Sequence, residues 1–171
     1  RAAWIAAFPV LLSLAACTVA ARRDAVIVKA ARGGGLTYHL HHPPDWSARQ
    51  VDDGLELVSP EPRVVLSTAS FEIPGPLAHN GADAETCASA AFAAAGGGIA
   101  PFHHEHLMSQ NVDAVVLEGM HHAVRAPPSM TLVACFRTRT ALDYPTIVLR
   151  ATAPAAAMEA HGQAIRDIVE N

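Results

Sequence analysis

Three β-rich segments lie in succession between residues 112 and 152, and they constrain the fold more than any other stretch of the chain. Val112–Val124, Met130–Thr138 and Tyr144–Thr152 are separated by five residues each, among them Pro127-Pro128-Ser129 and Leu142-Asp143. Proline cannot donate to a sheet ladder, and short breaks of this composition reverse a chain. Strands joined by such short turns pair antiparallel with their neighbours, so a meander is expected here.

The flanking segments supply what would cover it. Ala84–Ala95 is built of strong helix formers, with Asp83 placed to cap it and Gly96-Gly97-Gly98 to stop it. Its expected buried side carries Cys87, Ala91 and Ala94 or Ala95, small enough for a helix to sit close on a sheet. Pro154 suits the first turn of a closing helix whose Met158, His161, Ile165, Ile168 and Val169 share one face. Earlier in the chain, Ala25–Ala30, Leu36–His41, Gly54–Val58 and Arg63–Phe71 read as strands, with a Pro43-Pro44-Asp45-Trp46 turn after the second. Trp46 is expected to anchor the core. Ile73–Gly81 and the histidine-bearing stretch after Gly98 read as loops. The expected fold class is α+β: an antiparallel β-sheet with two helices packed on it, in one domain over residues 25–171 and without internal repeats.

The N-terminus points to an address. The apolar run Trp4–Ala16 has the length of a signal-peptide core and is too short to span a bilayer as a helix. Leu14-Ala15-Ala16-Cys17 at its end resembles a bacterial lipobox. That resemblance implies a lipoprotein signal peptide over residues 1–16, lipidation of Cys17, and a tether over 17–24. Only Arg1 stands for a positive leader and no initiator Met is present, so an incomplete leader is expected. Thr18, where an Asp would retain a lipoprotein in the inner membrane under the enteric sorting rule, favours the outer membrane. The expected location is the cell envelope, with the domain anchored by lipid and facing the periplasm.

A second resemblance concerns the domain. Tyr38-His39-Leu40-His41-His42-Pro43-Pro44-Asp45-Trp46, an extended strand followed by Pro and then Trp, resembles the early signature of PsbP-like domains, including DcrB-like bacterial lipoproteins. The meander and the amphipathic closing helix suit that sandwich. Its members are mostly binding, assembly or chaperone-like modules, so the resemblance implies an adaptor that assists an envelope complex and supplies no catalytic set.

Charge and motifs narrow the chemistry. A formal charge of −4 and a pI near 6.2 argue against nucleic acid, which requires a basic patch. There is no Gly-x-Ser-x-Gly elbow, and neither Gly run is followed by the Lys of a phosphate loop. Asp52-Asp53 before Gly54 fits a turn better than a catalytic pair. No enzyme activity and no cofactor are expected; the expected partners are the membrane, through the lipid, and an envelope protein. Cys87 and Cys135 are candidates for a disulfide, for two buried thiols or for a reactive thiol.

Histidine supports the alternative function. Ten occur in 171 residues, clustered as His39, His41 and His42, as His103, His104 and His106, and as His121 and His122. Imidazole is the commonest protein metal ligand, so a periplasmic metal-binding role would centre on His103, His104 and His106, the densest group. His104-Glu105-His106-Leu107-Met108 is not a His-Glu-x-x-His motif, because its fifth position is Met108.

Overall fold

A computed structural model describes residues 22–31, 34–51, 54–71, 84–96, 100–108, 112–122, 124–138 and 146–170. The lipobox, Cys17, the Asp52-Asp53 turn, Asp83, the Ile73–Gly81 loop and the Leu142-Asp143 turn lie outside the described residues.

The protein is α+β. Strands β1 (Arg23–Ala31) and β2 (Gly34–His42) form an antiparallel two-stranded sheet, in register from Arg23 opposite His42 to Ala31 opposite Gly34. β1 begins at Arg23, inside the stretch expected as tether. A second sheet holds β3 (Ser47–Val51), β4 (Gly54–Val58), β5 (Val65–Phe71), β6 (His103–Met108), β7 (Val112–His121), β8 (Ser129–Thr138) and β9 (Thr146–Pro154). Its order is β3-β4-β5-β9-β8-β7-β6, and every neighbouring pair is antiparallel. Helix α1 (Ala84–Gly96) lies between β5 and β6 in sequence, and α2 (Ala155–Ala160) and α3 (Gly162–Glu170) close the chain. Among the described residues, no helix is long and apolar enough to cross a membrane.

Side chains alternate between the two faces of a strand, and here both faces are buried. Val115, Leu117, Val133, Cys135 and Val148 pack under α1 with Ala84, Cys87, Ala88, Ala91 and Phe92. Val116, Leu132, Ala134, Leu149 and Ala151 point the other way, toward Met158, Ile165, Ile168 and Val169. The second core extends to Leu40 of β2, to Trp46 and to Leu55, Leu57 and Leu66 of β4 and β5. Trp46 is 2 % exposed, as expected of an anchor.

Several expectations need correction. The stretch read as a histidine-bearing loop is strand β6, paired to β7 from His103–Glu118 to Met108–Asp113. Strand β3 was not expected; it is an exposed edge strand held by β4. The buried face of α1 is Ala84, Cys87, Ala88, Ala91 and Phe92, whereas Ala94 and Ala95 are exposed. The closing helix is two helices, because His161 leaves helical geometry (φ −108°, ψ 11°) before Gly162 starts α3. The apolar face of that segment is as expected: Met158, Ile165, Ile168 and Val169 are all buried.

Candidate functional site

The α2–α3 layer sits on β8 and β9 and reaches β2, and a groove opens along its flank, floored by β6 and β7. Strand β6 is the terminal strand at the end of the sheet opposite β3. Alternation turns His103, Glu105 and Leu107 of β6 onto the same face as Val116 and Glu118 of β7. One part of the groove, about 290 Å³, has Leu107, Val116, Leu132, Met158 and Ile165 as its apolar lining. Glu105, Glu118, Glu159, Glu170, Arg166 and His103 stand around it. A second part, about 570 Å³, lies between β2, the sheet and the end of α3, lined by Tyr38, Leu40, Phe136, Ile147 and Ile168. Leu107, Val169 and Glu170 border both parts, which makes them one continuous feature along α3.

The lining follows from the local sequence. α3 turns Ile165, Ile168 and Val169 inward and keeps Arg166 and Glu170 at the water boundary, the split that helical periodicity produces. On β2, Tyr38 and Leu40 face the core while His39 and His41 face out, the split of period two. Burial pushes the Tyr38 phenol up to about 12, because its charged form would lose hydration. The groove can therefore accept apolar groups while presenting carboxylates at its rim.

The expected three-histidine metal set is not assembled. His103 lies on the groove face, its Nε2 3.4 Å from Glu105 Oε2. His104 and His106 lie on the opposite face, where His104 Nε2 is 2.8 Å from Glu85 Oε2 of α1 and His106 is hydrogen-bonded to Asp113 of β7. The reason is the strand itself: adjacent residues of a strand cannot share a face. Among the described residues, no three His, Cys, Asp or Glu side chains are grouped to hold a metal ion.

The remaining histidines have separate partners. His39 Nδ1 is 3.0 Å from Asp24 Oδ2, and His41 Nδ1 is 3.9 Å from the other oxygen of the same carboxylate. His42 is buried and donates from Nδ1 to the Pro43 carbonyl at 2.8 Å. His121 Nε2 lies 3.1 Å from Thr131 Oγ1, which is 2.9 Å from Thr152 Oγ1, a polar chain across β7, β8 and β9. Thr131 is wholly buried, so its hydroxyl braces the sheet and is closed to solvent.

Cys87 of α1 and Cys135 of β8 are joined by a disulfide, their Cα atoms 6.1 Å apart and both side chains fully buried. It fastens α1 to the sheet on the face away from the groove. Of the groove residues, the sequence singled out His103 as a metal candidate and Met158, Ile165, Ile168 and Val169 as one helix face, but did not join them into a surface. The signal available was Leu107-Met108 after His103-His104-Glu105-His106, an apolar pair closing a polar run. No protein-family model matches the chain, and no curated protein matches it.

Proposed function

We propose that this chain is a non-catalytic binding module of the bacterial cell envelope, held at a membrane by lipid on Cys17, with the groove along α3 as its binding surface. The observation that carries this reading is the groove's composition: an apolar floor and wall on strands and a helix, with carboxylates and Arg166 at the rim. Such a lining gains free energy by removing apolar surface from water, about 25 cal/mol per Å². Tethering would raise the module's effective concentration near other envelope proteins, favouring assembly or stabilisation of a complex without high intrinsic affinity. The finer fold reading is a PsbP-like sandwich; the Pro43-Pro44-Asp45-Trp46 turn that buries Trp46 supports it.

Two measurements test the reading. The neutral dye Nile red, added to the chain, is expected to brighten, and Leu107→Ser is expected to weaken that response several-fold while circular dichroism stays unchanged. Equal brightening in both proteins would remove the groove as the binding surface. Separately, labelled palmitate is expected to enter the wild-type chain but not Cys17→Ser in a bacterial host; equal labelling would overturn the anchor.

A further inference from the structure

The rim of the groove is charged unevenly. Four carboxylates, those of Glu105, Glu118, Glu159 and Glu170, face one guanidinium, Arg166, and two imidazoles, His103 and His39. Among the described residues, the side chains of Glu118, Glu159 and Glu170 have no hydrogen-bond or ion-pair partner, and Glu105 has only the 3.4 Å contact with His103. Phe102, just before β6, and Met108, its last residue, line the two parts of the groove and are 59 % and 63 % exposed, so its apolar lining is open to solvent. Unpaired carboxylates around apolar surface disfavour an anionic occupant and favour a cationic one. The carboxylates are spread around an apolar floor and not drawn to one point, which fits separate cationic side chains better than a single bare ion.

We infer that the occupant of the groove is a peptide segment of a partner protein in which apolar residues alternate with Lys or Arg. This rests on the binding-module reading above and specifies its ligand. α3 spans nine residues, so the groove beside it runs about 13 Å, the length of about four residues of extended chain. Apolar side chains of such a segment cover Leu107, Val116 and Ile165, and its cationic groups reach Glu105, Glu118, Glu159 and Glu170. A fatty acid or anionic headgroup would meet these carboxylates at close range. A second copy of this chain would bring the same acidic rim against itself.

The test uses the full chain and three fluorescein-labelled decapeptides: one alternating Leu and Lys, one alternating Leu and Glu, one alternating Ser and Lys. Fluorescence anisotropy is expected to show the first binding at least tenfold more tightly than either other peptide. The protein carrying Glu118→Gln, Glu159→Gln and Glu170→Gln is expected to bind it at least fivefold more weakly, while circular dichroism stays unchanged. Equal binding of the Leu/Glu peptide, equal binding of the Ser/Lys peptide, or an unaffected triple variant each overturns the inference. So does a dimer, seen by light scattering, that excludes the Leu/Lys peptide. If Nile red brightening depends on Leu107 but the Leu/Lys peptide is not preferred, only this inference fails. If neither probe depends on the groove, the binding-module reading fails with it.

Discussion

The imidazole of His161 stands edge-on to the indole of Trp46, with ring centroids 5.5 Å apart and an interplanar angle of 84°. Its Nε2 donates to the Pro62 carbonyl at 2.9 Å. One side chain at the break between α2 and α3 therefore reaches the turn that follows β2 and the connection between β4 and β5. The break is what aims it: His161 leaves helical geometry while its carbonyl still accepts from the Ile165 amide at 2.9 Å.

Replacing His161 with Ala is expected to destabilise the protein by about 1–2 kcal/mol, the sum of an edge-to-face aromatic pair and a hydrogen bond, reduced for partial exposure. Urea unfolding followed by tryptophan fluorescence measures it. An unchanged midpoint would show that the contact contributes nothing to stability.

Gly119 of β7 lies directly beneath Phe92 of α1: a Cβ at position 119 would fall 2.5 Å from Phe92 Cζ. Gly119→Ala is expected to cost about 1–3 kcal/mol through overpacking, and Phe92→Ala about 3–5 kcal/mol through the cavity it leaves. The pair should not add, because the smaller residue at 92 makes room for the methyl at 119. A double-mutant cycle by thermal or urea unfolding reads the coupling; strict additivity would mean that the two do not touch.

Closing a loop between positions 87 and 135, a separation of 48 residues, removes entropy from the unfolded chain. Cys87→Ala with Cys135→Ala is expected to lose about 2–4 kcal/mol. Both side chains are buried, so reductant should act slowly on the native protein and quickly once urea opens it. Equal reduction rates with and without urea would contradict that burial.

The Tyr38 phenol titrates near 12 when folded and near 10 when unfolded. Between those values the unfolded chain has released a proton that the native protein still holds, so stability is lost as pH rises. Below about 10 this group contributes no slope. Tyr38→Phe is therefore expected to flatten the alkaline decline in unfolding free energy between pH 10 and 12 relative to wild type, and parallel curves would show that burial of Tyr38 does not cause it.

The parts of the fold legible in the sequence were those where period and burial agree. The 130–138 and 144–152 segments became β8 and β9, and Met158, Ile165, Ile168 and Val169 share a buried face as their spacing implied. Strand β6 was hidden because His103-His104-Glu105-His106 contains no β-branched residue; its extended form is imposed by pairing with β7. Strand β3, exposed at four of five positions, has no apolar alternation to detect. In α1 the alanines give no apolar stripe, so the phase is set by Phe92 landing over Gly119, and Ala94 and Ala95 turn outward. The groove was least legible, since its walls come from β2, β6, β7 and α3 and meet only after folding.

The position of β9 has a consequence for biosynthesis. Among the described strands it is the last in chain order, yet it lies between β5 and β8, bonding Ser67 through Phe71 on one side and Ser129 through Phe136 on the other. A nascent chain that has reached only residue 138 holds two half-sheets, each with a bare strand edge. Such edges recruit other strands, including those of neighbouring chains. Polypeptides terminated before β9 should therefore aggregate, whereas adding that strand seals both edges in one event.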